Sequence, residues 1–257
     1  MLLLEGFLII TANEWLCDRF NVAKPPLYFP NGFLRGSIPR WEQRKFLENM
    51  KTIGVTNFLA KSFNVFPFEG EWLESFGEPE KNFTMVLYGD PGNGKTEFAV
   101  KFTKYLTNFG RVAYCSYEQG ISKSLQDAFK RNKMEDESGK IIITSGGSFS
   151  DLIDLLKKNR SPQIIIIDSL DYMRLTTEQF KTLIKLFPRK AFVIICWSKN
   201  EHPKSQYAKD IEYMADIKSY VKDFVIENPR SRFGGNKPFV IWKDRHKKQH
   251  KQPSLFD

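Results

Sequence analysis

The chain has 257 residues, 41% of them hydrophobic, and its Lys and Arg outnumber Asp and Glu by 39 to 30. That fills the core of one α/β domain with extensions. The absence of any apolar run of about 18 residues excludes a membrane-spanning helix. Three cysteines (Cys17, Cys115, Cys196) without C-x-x-C spacing argue against a metal framework and read as core thiols of a reducing compartment. The net charge of +9 is uneven. Residues 1–82 carry 9 basic and 10 acidic side chains, residues 83–242 carry 25 and 18, and residues 243–257 carry 5 and 2. Basic excess on the central and final parts points to a polyanionic partner, with a solvated basic surface as the alternative.

In chain order, Leu2–Ile10 reads as a strand or short helix. It includes Glu5 and lacks a basic leader and a cleavage site, so no signal peptide is expected. Pro25-Pro26, Pro30-Asn31-Gly32 and Pro39 punctuate an irregular stretch. Residues 41–62 suggest helix broken near Gly54, Phe66–Gly70 a loop, and Glu71–Phe76 a short helix ended by Gly77. Residues 1–82 are taken together as an N-terminal extension packing on the core. From residue 83, apolar strands (83–88, 111–116, 140–144, 163–167, 190–196) alternate with helices near 94–108, 121–132, 148–159 and 176–187. This alternation specifies a mostly parallel sheet covered on both faces. After a short helix past 206, Ile217–Val221, Phe224–Ile226 and Pro238–Trp242 are expected as short antiparallel strands. Residues 243–257 are expected as a flexible basic tail.

The chain is organised around Gly89-Asp90-Pro91-Gly92-Asn93-Gly94-Lys95-Thr96-Glu97, between a buried strand and a helix. Gly89, Gly94, Lys95 and Thr96 fit the phosphate-loop pattern G-x-x-x-x-G-K-[ST]. Glycines let backbone N–H groups curl around a phosphate, and the helix start adds partial positive charge. Lys95 is expected to reach the β- and γ-phosphates of ATP and Thr96 to ligate Mg2+. Four isoleucines, Ile164–Ile167, end in Asp168, as a strand buried on both faces should read. Asp168 then sits at the mouth where such sheets bind ligands and is the candidate second Mg2+ residue; a helix-capping aspartate is the alternative. Glu118 follows the strand 111–116 and is a candidate general base, or else a glutamate answering a helix dipole.

The order of these motifs resembles the RecA-core ATPases, a superfamily that includes RadA, DnaB-type helicases, KaiC and small phage recombination ATPases. The resemblance covers about 83–242 and implies a RecA-like P-loop NTPase fold, α/β, with a mostly parallel central sheet flanked by helices. It implies that Glu118 is the catalytic base and that Asp168-Ser169 matches the family's D-S step. Arg230-Ser231-Arg232-Phe233-Gly234 looks like RadA's K-N-R-F-G motif, with Arg230 in place of the lysine. By that likeness Arg230 and Arg232 act toward a neighbouring subunit's nucleotide, and the chain is a homo-oligomer, filament or ring. RadA's cysteine zinc module and protease-like domain have no counterpart in this sequence. The family's polar sensor falls on Trp197-Ser198, and its DNA-binding loops on Leu170–Thr177 (Tyr172, Arg174) and Lys199–Tyr207 (Lys199, His202, Lys204). These suit single-stranded DNA or ordinary surface loops alike. Gln252-Pro253-Ser254-Leu255-Phe256 resembles the pentapeptide that binds bacterial sliding clamps, with proline departing from the consensus. The expectation is a cytoplasmic, Mg2+-dependent ATPase acting on DNA in recombination, repair or replication, of phage-like simplicity. The alternative is a nucleotide-dependent switch or loader.

Overall fold

A computed structural model describes residues 52–249. The chain divides into two compact units, Met1–Lys61 and Ser62–Asp257. In the first, the described part holds one short helix, α1 (Val55–Leu59), with no buried residue. Leu2–Ile10, Cys17, the proline-punctuated stretch, residues 41–51 and Gln252–Phe256 lie outside the described residues.

The second unit begins with α2 (Gly70–Phe76), closed at Gly77 with φ 73°, where a Cβ would also collide with the Phe233 carbonyl. The sheet strands are β1 (Thr84–Gly89), β2 (Val112–Ser116), β3 (Ile141–Ser145), β4 (Ile164–Asp168) and β5 (Ala191–Lys199). Between them lie α3 (Lys95–Leu106), α4 (Lys123–Arg131), α5 (Phe149–Lys157), α6 (Leu170–Met173) and α7 (Thr177–Leu186). Then come β6 (His202–Pro203), α8 (Gln206–Met214), β7 (Ile217–Val221), β8 (Val225–Ile226), β9 (Arg230–Ser231), β10 (Phe239–Val240) and α9 (Lys243–Gln249). The sheet order is β3-β2-β4-β5-β1-β7-β9. All neighbours along it are parallel except β7 and β9.

Alternation along each strand sends side chains to two separate cores. Met85, Leu87, Val112, Tyr114, Ile164 and Ile166 face α3 and α4. Val86, Tyr88, Ala113, Cys115, Ile165 and Ile167 face α5, α7 and α8. This double burial explains the unbroken isoleucine run of β4. The first core is aromatic: Trp72 stacks on Phe102 at 5.0 Å, and Phe68 meets the same ring edge-on at 6.0 Å. Residues 62–82 thus share the unit of the sheet, through Phe66, Phe68 and Phe76.

Three local expectations differ from the structure. Ile217–Val221 is not antiparallel: β7 pairs with β1 in parallel, Met85 opposite Ile217 and Gly89 opposite Val221. The reason is α8, which carries the chain back across the sheet before β7 begins. Pro238–Trp242 shortens to β10, which pairs antiparallel with β8. Lys243–Gln249, expected as flexible tail, forms α9. Its Arg245 lies over the Trp242 ring at 4.9 Å, and His246 Nδ1 stands 3.0 Å from the Asp223 carbonyl oxygen. Polar sequence hides that anchoring, because cations pack on aromatic faces as well as in water.

Candidate functional site

The phosphate-loop residues leave the carboxyl end of β1 and enter α3 through Gly92 (φ 81°) and Gly94 (φ 101°). Gly94 is also pressed by Phe224, whose ring a Cβ would meet at 2.7 Å, and the Phe224 N–H donates to the Asn93 carbonyl. Gly89 is needed for approach: a Cβ would sit 2.5 Å from the Val221 carbonyl oxygen of β7. Lys95 is buried and donates from Nζ to the carbonyls of Gly89 (2.8 Å) and Asp90 (3.0 Å). Burial pulls its ammonium below the usual lysine value, while Glu118 and Asp168 act the other way.

Asp168 ends β4 in register with Ser116 of β2 and is almost fully buried. The Tyr114 hydroxyl donates to its Oδ2 at 2.6 Å. Burial raises the carboxyl to about 6; the Tyr114 bond opposes this and nearby Glu118 adds to it. The Asp168 main-chain carbonyl accepts the N–H groups of Tyr117 (2.6 Å) and Glu118 (3.0 Å). One carbonyl therefore fixes the backbone that carries Glu118 beside the mouth. Gln119 Nε2 donates to Thr96 Oγ1 at 3.3 Å, tying the same turn to the start of α3. Asp90 accepts from Ser198 Oγ of β5.

The oxygens of Thr96 and Asp168 are of the hard kind that Mg2+ takes together with nucleotide phosphates. Ser116 Oγ, buried and without a hydrogen-bond partner, stands at the register position of Asp168. The residues present fit a partly hydrated cation. Among the described residues no cluster of three His, Cys, Asp or Glu side chains could hold a metal alone. Cys115 and Cys196 are free and buried, and burial pushes the Cys115 thiol up to about 11, so it packs as an inert thiol.

Residues 85–204 match the family model of the ATPase family associated with various cellular activities (AAA). The DNA repair and recombination protein RadB of Methanosphaera stadtmanae is 33% identical over 102 residues, covering 37% of this chain and 44% of that protein. Residues 85–204 are thus similar to a P-loop ATPase domain, and part of the chain resembles RadB. The chain spans less than half the length of that relative. Among solved structures, a KaiC-like protein of Pyrococcus horikoshii OT3 is 16% identical with a TM-score of 0.43, over 55% of this chain and 71% of that one. The ATP synthase subunit NeqB of Nanoarcheaum equitans is 10% identical with a TM-score of 0.46, over 62% and 51%.

The fold brings Gly89–Thr96, Glu118 and Asp168 to one end of the sheet, while three expected residues have partners outside the loop. Glu97 turns away from the loop: its carboxylate accepts from Arg131 Nη2 (2.6 Å) and Asn132 Nδ2 (2.9 Å), locking α3 to α4. Arg232 pairs with Asp216 at 3.3 Å, and Asp216 also accepts from Thr84 at the amino end of β1. Five residue steps along the strand separate that point from Gly89, about 17 Å, well beyond one arginine's reach. Arg230 donates to Tyr88 OH (3.0 Å) and pairs with Glu212 (2.9 Å). Arg232 is thus held away from its own phosphate loop, while Arg230 is bonded to the residue that precedes the loop.

One residue at the mouth was visible to sequence reasoning only as a family position. Trp197 pairs in register with Gly89, and its indole N–H donates to Glu118 Oε2 at 3.3 Å. Its ring meets exposed Tyr172 edge-on at 5.4 Å and lies under Lys204 Nζ at 4.6 Å. Asn200 and Glu201 (φ 54° and 61°) form the tight two-residue turn between β5 and β6, which returns Lys204 to Trp197. The two segments read as DNA-binding loops thus meet on one ring.

Proposed function

We propose that this chain hydrolyses ATP with Mg2+ and couples turnover to single-stranded DNA in recombination or repair. The observation that carries the reading is the Asp168 carbonyl holding the Glu118 backbone at the same sheet end as Lys95 and Thr96. This supports reading Glu118 as a carboxylate base, Lys95 as a phosphate-binding lysine and Thr96 with Asp168 as a cation-binding pair. Lys95 would exchange the Gly89 and Asp90 carbonyls for phosphate oxygens, Thr96 and Asp168 would hold the cation, and Glu118 would take the proton of the attacking water. Bound Mg2+ would supply charge neutralisation at the phosphates.

The net charge of +9 and the name of the RadB relative support DNA as the polyanion. Arg232, held away from its own loop, and Arg230, in an exposed ion pair, suit a neighbouring subunit's nucleotide, so we place the complete site between subunits of a filament or ring. The test is ATP turnover with and without single-stranded DNA, beside a size measurement in both states. Stimulation with growth in size supports the reading. Turnover indifferent to DNA, with no binding at low salt, overturns it in favour of a nucleotide switch. Deleting residues 252–257 tests the sliding clamp: unchanged clamp binding ends that part.

A further inference from the structure

The Trp197 ring has two employments that compete. Its N–H holds Glu118, and its π-face and edge lie between Lys204 and half-exposed Tyr172 on the outer surface. Its backbone N–H donates to Asp171 Oδ2 at 2.8 Å, so the main chain is pinned while the side chain carries the other contacts. We propose that Trp197 is a latch on Glu118, opened when an unpaired nucleic-acid base stacks on the Trp197–Tyr172–Lys204 surface. This rests on the reading of Glu118 as the base that activates water.

The physical case has three parts. A carboxylate held by an N–H is fixed in one orientation and is not free to turn toward an attacking water. Glu118 is exposed and its backbone is fixed by the Asp168 carbonyl, so the indole is what restrains its carboxylate among the described residues. An exposed aromatic pair with an ammonium over one ring offers what single strands bind: a flat face for a base and a cation for the phosphate beside it. A base that enters between Lys204 and the indole must rotate the ring or displace the lysine. Rotation of the ring breaks a bond already at 3.3 Å. Trp197 acts on turnover through Glu118, so it is a positioning residue.

The test uses the full chain with oligothymidylate as probe. Trp197→Phe keeps a ring and removes the donor; Trp197→Ala removes both. With ATP and no DNA, Trp197→Phe is expected to turn over about three- to tenfold faster than wild type with KM unchanged, and to gain little on adding the probe. Trp197→Ala should lose about tenfold in probe affinity, as base–aromatic stacking predicts. Indole emission, taken as the difference between wild type and Trp197→Phe, should change on probe binding. Slower turnover in Trp197→Phe, or emission indifferent to the probe, overturns the latch. Glu118→Gln separates this from the parent reading. If that variant hydrolyses ATP normally, Glu118 is not the base. The Trp197 emission response, expected to persist in it, still decides whether a base engages the ring.

Discussion

The carboxyl mouth of the sheet and its β9 edge handle charge differently. At the carboxyl end, Lys95 and Asp168 are buried, and their partners are main-chain carbonyls or a buried tyrosine hydroxyl. Near β9, Arg230 and Arg232 sit in ion pairs whose guanidinium side chains are each 63% exposed. Buried groups with fixed partners keep their geometry without ligand and cost the fold stability to keep. Exposed pairs contribute about 0–1 kcal/mol and can be exchanged for another partner at little loss. The first arrangement suits chemistry; the second suits an encounter with a neighbouring molecule.

Substitutions can break that contrast. The largest effect is expected at Glu118: Glu118→Gln should lower kcat about 10²- to 10⁴-fold with ATP affinity nearly intact, checked by steady-state turnover and nucleotide binding. Lys95→Ala should weaken ATP binding on the order of 100-fold by removing a charge-assisted phosphate contact, checked by calorimetry.

Asp168 gives a stability effect of opposite sign. Burial lifts its carboxyl from 3.8 to about 6, so the native state holds a proton that the unfolded chain has released. That contribution is complete below pH 3.8 and is lost as pH rises through about 6. At about 1.4 kcal/mol per pH unit the difference is on the order of 3 kcal/mol. Ligand-free Asp168→Asn should therefore unfold at higher denaturant than wild type at pH 7.5, and the gain should vanish by pH 4. Arg232→Ala is the smallest change for the fold, below about 1 kcal/mol in chemical denaturation. Its effect should appear in turnover only under conditions where the protein self-associates. A large loss of stability there, or an equal loss of turnover in the isolated subunit, would erase the contrast between the mouth and the β9 edge.

Much of this was legible in the residues. Glycine spacing before Lys95-Thr96 needs no partner from far away, and four isoleucines before Asp168 declare a strand buried on both faces. Strand direction after Met214 was not legible, because short apolar runs such as Ile217–Val221 pair either way until α8 sets the return. Glu97 looked like part of the loop by adjacency, yet helix geometry turns its side chain toward Arg131 on α4. Helix α9 escaped notice because the aromatic groups that anchor its cations, Trp242 and Phe224, lie partly across the fold.

Sequence by itself determined the alternating strands and helices from β1 to β5, the phosphate loop and the two strand-end carboxylates, since local spacing and burial period encode them. Only the tertiary structure decided what each group faces. It folds Lys95 onto the carbonyls of its own loop, sets Asp168 under Tyr114, and places Trp197 between Glu118 and Lys204. These pairs come from strands adjacent in space and far apart in sequence, where register and packing, rather than local propensity, choose the neighbour.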